Sequence, residues 1–316
     1  MMRCLVTGGC GFVGSALVRR LLANSCEVVV VDDLSRGSTE NLGPDRDRVP
    51  VVREDVRNSL GSIFAAFQPQ AVFHLAALHF IPDCDADPSG CLQVNVDGTR
   101  AVLAATAALR DQACLVLASS AAVYAPADSP LHEQEDSLGP LDVYGHSKRW
   151  AEELAADFGA RTGTPVGIAR LFNVFGPGET NAHFIPSLIC QLQAGESVRL
   201  GNLGSKRDYV FVDDVAEALL RLALHGGEGQ SATVNVGSGK AYAGHEVVET
   251  LTRLAPALAD MTPAVDPSRL RPVDRPVLLA DPTLAQKLLD WTPRTGLLDG
   301  LRAAWDHPVG AGVSLS

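Results

Sequence analysis

The chain has 316 residues, 46% of them hydrophobic and 20% charged, which is enough apolar material for a substantial core and excludes a disordered tail. Its net charge of −11, with no basic run, excludes a nucleic-acid footprint, although a few placed arginines can still hold a small anionic substrate. Seven cysteines (Cys4, Cys10, Cys26, Cys84, Cys91, Cys114, Cys190) are scattered without a C-x-x-C pair or a histidine cluster at zinc spacing, so reduced core thiols, a cytoplasmic location and no metal site are expected.

In chain order, "RCLVTG" is a short β-rich run that ends at a glycine cluster. "FVGSALVRRLLAN" then has helical spacing at Val13, Leu17, Leu21 and Leu22, and "EVVVVDD" is a continuous apolar strand. The N-terminus lacks a signal-peptide core, and Arg19, Arg20, Asn24 and Glu27 interrupt the apolar segments, so no membrane association is expected. Strand, glycine turn, helix and strand make a βαβ unit, and fully apolar strands imply a parallel sheet buried on both faces. The alternation continues with "AVFHLAA" at 71–77, a helix from about Val94 to Leu109, "CLVLASS" at 114–120, an amphipathic helix opening at Tyr144, and "PVGIARLFN" at 165–173. The expected fold is α/β, a doubly wound parallel Rossmann sheet with a smaller C-terminal substrate-binding lobe.

After Asn173 the rhythm changes. A helix at about 186–194, "RDYVFVDDVAEALLRLALH" and the strand "TVNVGS" are followed by a tail that Pro263, Pro267, Pro272 and Pro276 mark as loop-rich. The expected organisation is a dinucleotide-binding domain at 1–173 with later returns at about 207–237, and a substrate-binding lobe from 174–206 and 238–316.

Two stretches carry chemistry. "TGGCGFVG" places Gly8, Gly11 and Gly14 between strand and helix, where backbone amides can approach a pyrophosphate at the helix start, Phe12 and Val13. Asp32 follows Gly14 by 18 residues, about where an acid accepts hydrogen bonds from an adenosine ribose, with Asp33 beside it. A carboxylate there repels a 2′-phosphate and favours NAD, while Arg36 nearby keeps NADP open; a plain turn residue is the other reading of Asp32. In "YGHSKRWAEELAADF", a period near 3.6 runs through Trp150, Leu154 and Phe158, with Ala151 and Ala155 widening the stripe. Tyr144 and Lys148, four apart, then share one helix face.

"TGGCGFVG", "VDDLSRG", "EDVRN", "FHLAA", "NVDGT", "SSAAVY", "YGHSK", "RLFNVFGPGE", "RDYVFVDDVAEA" and "NVGSG", in that order, span nearly the whole chain. In them the sequence resembles the extended short-chain dehydrogenase/reductases, and within these the nucleotide-sugar epimerases and dehydratases. The resemblance implies that Asp55 and Val56 flank the adenine and that Leu75, Ala76, Ala77 and Asn95 line the NAD path, with Phe172 also among the cofactor-binding residues. It implies a catalytic set of Ser120, Tyr144 and Lys148, with Ser119 structural. In that set Tyr144 takes a hydroxyl proton as hydride leaves the same carbon, Ser120 bonds the reacting oxygen, and Lys148 lowers the Tyr144 pKa and holds the nicotinamide ribose.

The same resemblance implies a nucleotide-diphosphate sugar as substrate, with Arg207 and Arg271 on the diphosphate and Asn173 on the substrate. Arg275 competes with Arg271. Dehydratases carry an acid pair directly after the catalytic hydroxyl residue, and here Ala121 and Ala122 stand there, so a 4-epimerase acting through a 4-keto sugar is the simplest completion. The dehydratase and the glucuronate decarboxylase stay as alternatives, because "LGNLGSK" at 200–206 resembles dehydratases and Asp83 is an acid that another segment could supply. Departures from the commoner pattern fall at Ala125, His79, Asp83, His183 and Leu278. His183 is either a substrate contact or a surface histidine, and Leu278 replaces a tyrosine that gates sugar size. A non-catalytic NAD-sensing regulator is disfavoured because Ser120, Tyr144 and Lys148 are all kept. A homodimer through the 94–109 and Tyr144 helices is also implied.

Overall fold

The structure is a computed structural model that describes residues 1–195, 198–254, 263–267 and 275–307. Strand β1 (Arg3–Thr7) passes through the glycine turn into α1 (Phe12–Ala23), followed by β2 (Glu27–Asp32), β3 (Val51–Arg53), α2 (Gly61–Phe67) and β4 (Ala71–His74). Two short helices, α3 (Ile81–Ala86) and α4 (Pro88–Leu92), lead through a π-turn at Gln93–Asp97 into α5 (Gly98–Ala107). Then come β5 (Cys114–Ser120), α6 (Val143–Thr162) and β6 (Val166–Leu171). The helix expected over Val94–Leu109 is therefore interrupted: the wider π-turn carries Asn95 into the interior, and regular helix begins only at Gly98.

The second half continues with β7 (Asn173–Phe175), α7 (Phe184–Gln193), β8 (Arg199–Leu200), β9 (Lys206–Phe211), α8 (Val212–Gly227) and β10 (Ala232–Val236). After these lie β11 (Ala241–Ala243), α9 (Gly244–Leu254), β12 (Ala264–Val265), β13 (Val277–Leu278), α10 (Thr283–Leu289) and α11 (Leu297–Asp306). The tail that reads as loop-rich thus holds three helices. Its prolines lie between or just before them, while Val247, Val248 and Leu251 in α9, and Leu297, Leu301 and Ala304 in α11, make buried stripes at helical spacing.

The seven strands of the main sheet are all parallel, in the order β10-β6-β5-β4-β1-β2-β3. One face is covered by α1 and α8, where Leu17, Leu21, Val215 and Leu219 join one core. The other is covered by α2, α5 and α6, where Phe64, Val102, Ala155 and Phe158 join another. Burial on both faces explains the unbroken apolar run of β5. A smaller sheet, β11-β9-β13 with β7 also pairing β9, packs with α7, α9 and α11 around Phe175, Leu188, Leu251 and Leu301.

Helix α6 positions the sequence's Tyr144 and Lys148. Asp142 caps its start by accepting the Gly145 N–H at 2.7 Å, and Gly163 ends it in the left-handed region with φ 74°. The buried stripe is Ser147, Lys148, Ala151, Glu152, Ala155 and Phe158, whose mostly small side chains let the helix lie close to β5. Trp150, expected on that stripe, instead stands outside it, 43% exposed with its ring 6.0 Å from His146.

Beneath the helix, Glu152 receives Arg170 of β6 through Nη2 at 2.8 Å and Nε at 3.0 Å, and also accepts from the Ser119 hydroxyl. Arg170 donates in turn to the Tyr124 hydroxyl at 3.0 Å, which donates to Asn235 at 2.8 Å. Both members of the Glu152–Arg170 pair are 7% exposed, so removal of one strands the other's charge in the core. Glu152→Ala is expected to lower unfolding free energy by about 3–5 kcal/mol, measured by urea denaturation against wild type; a loss under about 1 kcal/mol would show that the pair is solvated.

Candidate active site

The strand order reverses between β1 and β4, which opens a crevice at the carboxyl ends of these strands. Gly8 leaves β1 with φ +71°, and a Cβ there would lie 2.7 Å from the Ala76 amide nitrogen, so only glycine allows the turn to approach the segment after β4. At Gly14 a Cβ would meet the Gly8 carbonyl oxygen at 2.0 Å, which explains how closely α1 seats on the turn. Gly11 caps α1 without a side-chain hydrogen bond, so the first helical amides, at Phe12 and Val13, are left for an anion.

Asp32 is buried and accepts the Cys10 and Leu34 amides, each at 2.9 Å, tying the glycine turn to the end of β2. Burial raises its pKa against the lowering effect of those two bonds. The turn-residue reading of Asp32 therefore describes part of what it does. Asp33 is exposed and accepts from Ser35. Arg36, the residue that keeps NADP open in the sequence, pairs with Asp83 of α3 at 2.6 Å.

Leu75, Ala76 and Ala77 follow β4, half-buried. Asn95 lies behind them, with its amide bonded to the Leu78 N–H, the Leu78 carbonyl and the Ser147 hydroxyl at 2.8–2.9 Å. Asp55 is held by Arg57, Val56 is buried against Gly98, and Phe172 packs with Ala121, Val123 and Tyr124. Asn95, Val56 and Phe172 are thus all buried among protein partners.

Ser120, Tyr144 and Lys148 do come together. Ser120 ends β5, and its Oγ accepts the Ala122 N–H at 3.1 Å, with the Tyr144 side chain close enough to feel its hydroxyl. Lys148, 6% exposed, donates to the Ala118 carbonyl at 2.9 Å, with Nζ 5.9 Å from the Tyr144 ring centre. Burial pulls the lysine pKa down to about 8, with the neighbouring Cys91, Cys84 and Glu152 side chains acting in the opposite direction. Burial pushes the tyrosine well above its ordinary value, and the nearby Ser120 hydroxyl only partly offsets this. The expected lowering of the Tyr144 pKa by Lys148 does not appear in the protein alone: desolvation raises it most, and the neighbouring Asp142 carboxylate raises it further. Ser119 is buried on Glu152, as a structural serine should be.

Beyond the crevice, Asn173 donates to the Asp208 carbonyl at 3.2 Å, and Arg207 donates to the Arg275 carbonyl at 2.8 Å. Leu278 is paired in register with Arg207. Arg271 lies outside the described residues. Its competitor Arg275 clamps the turn after β5, donating to the carbonyls of Tyr124 at 2.6 Å and Ala122 at 3.2 Å. His183 caps α7, and its Nδ1 is 2.7 Å from Glu179 Oε1. His79 Nε2 is 3.1 Å from the Asn181 amide, and the two histidine rings are 5.9 Å apart.

Sequence reasoning missed Glu179 and Asn181, the clamp by Arg275, and the Glu152–Arg170 pair. Only Glu152 carries a sequence signal, standing four residues after Lys148 on the same helix face. The expectation of no metal-ligating cluster treats His79 and His183 separately, whereas the fold joins them with Glu179.

Residues 4–237 match the family model described as "NAD dependent epimerase/dehydratase family". The chain belongs to that family. Among other members, UDP-glucose 4-epimerase of Mycolicibacterium smegmatis is 33% identical over 313 residues, covering 95% of this chain and 96% of the relative. UDP-glucuronic acid decarboxylase 6 of Arabidopsis thaliana is 31% identical, covering 95% and 87%. The crystal structure of Thermus thermophilus UDP-glucose 4-epimerase in complex with NAD superposes with a TM-score of 0.87 at 31% identity, covering 98% of this chain and 100% of that one.

The position of Lys148 generates a pH test with NAD as the probe. The charged ammonium prevails below about pH 8 and is lost above it. Affinity for a ligand held by that charge should fall as pH rises through this value, by up to about tenfold per pH unit. Calorimetric titration from about pH 6.5 to about pH 9.5, a span that brackets the lysine pKa, should show that fall in wild type and a flat profile in Lys148→Met. Equal slopes would remove the lysine from the contact. For folding the sign is opposite. The unfolded chain keeps the lysine proton up to about pH 10.4, so this group's burial costs stability below about pH 8, and the cost is relieved as the folded protein loses that proton above it.

Proposed function

We propose that the protein is an NAD-dependent UDP-sugar 4-epimerase that works through a transient 4-keto sugar. The observation that carries the reading is the meeting of Ser120, Tyr144 and Lys148 at the end of β5 beside Ala121 and Ala122, with no acid in that turn.

The residues at the crevice fit the dinucleotide. The Cβ-free approach of Gly8 to Ala76 and the uncapped start of α1 suit its diphosphate, and the acids Asp32 and Asp33 suit an unphosphorylated ribose. Arg36 is already engaged by Asp83, which favours NAD over NADP. When bound, NAD accepts the hydride from the sugar's C4 and later returns it. Tyr144 Oη takes the C4 hydroxyl proton and gives it back when the opposite face is reduced. Ser120 holds the reacting oxygen, since its hydroxyl lies beside the phenol at the end of β5. A phenol driven upward by burial needs positive charge close by to release its proton, and Lys148, largely charged at neutral pH, supplies it from the same helix face.

Arg207, Arg271, Asn173, Leu278, His79 and His183 are assigned to the nucleotide-sugar side. The 4,6-dehydratase and glucuronate decarboxylase readings require an acid or base at C5 or beside the carboxylate. Ala121 and Ala122 offer none, and Asp83, the substitute considered from sequence, is paired with Arg36. We assign the dinucleotide to a domain of 1–173 with returns at about 207–237, and the sugar to a lobe of 174–206 and 238–316. The partner in solution is a second copy of the chain, packed through α5 and α6, for which the exposed Trp150 on α6 is the supporting observation. A cytoplasmic location is supported by seven free thiols, six of them buried; no helix among the described residues is long and apolar enough to cross a membrane.

Purified protein incubated with UDP-glucose, UDP-galactose and their N-acetyl and glucuronate forms, followed by NMR and mass spectrometry, tests the reading. A product of unchanged mass with altered C4 proton coupling is expected. Tyr144→Phe should lower kcat by about 10²–10⁴-fold with folding intact. Loss of water or of carbon dioxide from the substrate would replace epimerisation with the dehydratase or decarboxylase.

A further inference from the structure

His79 and His183 are two of the positions at which the sequence departs from the commoner family pattern, and the fold makes them neighbours across 104 residues of chain. One nitrogen of each ring and one oxygen of Glu179 lie within 4.8 Å of one another. Glu179 is 4% exposed, and among the described residues its carboxylate has a single hydrogen-bonding partner, His183. A carboxylate offers about four acceptor sites, so a buried one with a single imidazole partner is poorly compensated. The Phe80 ring, 5.3 Å from that of His183, and the Asn181 amide at His79 hold the two histidines in place.

We propose that His79, Glu179 and His183 form a binding site for a divalent transition-metal ion. Two imidazoles and one carboxylate are a borderline donor set suited to Zn²⁺ or Co²⁺. Donors about 2.0–2.1 Å from a tetrahedral ion stand roughly 3.3 Å apart. The ion therefore needs the 2.7 Å contact between His183 and Glu179 to open slightly and the wider separations to close. The imidazoles bind as neutral rings, each offering one ring nitrogen. Three protein ligands leave a coordination position open, and His79 is exposed, so that position reaches solvent. With one carboxylate and two neutral rings the bound ion keeps a net positive charge, which suits water or an anionic oxygen donor. Only the suggestion that this donor belongs to a nucleotide sugar rests on the epimerase reading; ion binding does not.

The full chain, stripped of metal with a chelator and dialysed, is titrated with Co²⁺ and followed by its visible ligand-field bands. One Co²⁺ per chain is expected, without the near-ultraviolet thiolate band that binding at Cys84 and Cys91 would give. His183→Asn and Glu179→Gln should each weaken binding by about tenfold or more, and so should His79→Asn, whose exposed position leaves the core untouched. Circular dichroism and NAD titration should be the same in the variants as in wild type. Wild-type binding no tighter than that of His79→Asn, or a thiolate spectrum, would overturn the site. Because this readout needs no turnover, a protein that binds Co²⁺ but epimerises no sugar would sink the enzymatic reading alone, and the converse result would sink the metal site alone.

Discussion

A buried ammonium is the constraint around which the active site is arranged. Lys148 lies on α6 with one backbone carbonyl as its hydrogen-bond acceptor, and Glu152, one turn further along the same helix, is among the side chains that favour its charge. Glu152 in turn needs Arg170, and Arg170 ties β6 to Tyr124 and Asn235. The chain of compensation therefore reaches from Lys148 to β10, on the far edge of the sheet. Small residues at Ala151 and Ala155 let α6 come near enough to β5 for this network to close, and that same approach sets Tyr144 beside Ser120.

The opposite wall of the crevice is built by a different means. There the limiting factor is steric: Gly8 and Gly14 let three backbone segments approach within distances that no Cβ tolerates. Asp32 then fastens the result by accepting two amides, one from the turn and one from its own strand end. One wall thus depends on charge pairing inside the protein and the other on the absence of side chains. Changes in solution conditions act on the first wall far more than on the second.

Much of this is legible in the amino-acid sequence, for definite reasons. β1, β2 and β5 announce themselves because strands buried on both faces must be apolar throughout, and Tyr144 and Lys148 because a four-residue interval on a helix fixes their proximity. Trp150 departs from its expected place because periodicity shows which residues share a face and not how much room that face has. The break before α5 is invisible because a π-turn has no signature in the apolar pattern. Helices α9, α10 and α11 are obscured by neighbouring prolines, which mark the boundaries of elements as readily as their absence. The company that His79, Asn181, Glu179 and His183 keep is not legible at all, since their contacts join distant segments whose approach is set by tertiary packing.

The ion pair between Arg36 and Asp83 has a topological meaning. Arg36 belongs to the loop after β2 and Asp83 to the helix after β4, and in the sheet β1 lies between those two strands. The pair consequently forms an arch over the glycine turn. A molecule extended along the crevice would have to slide out lengthwise or wait for the arch to part. Since Arg36 is more than half exposed, the pair is worth less than about 1 kcal/mol. It governs the path of departure more than the strength of holding.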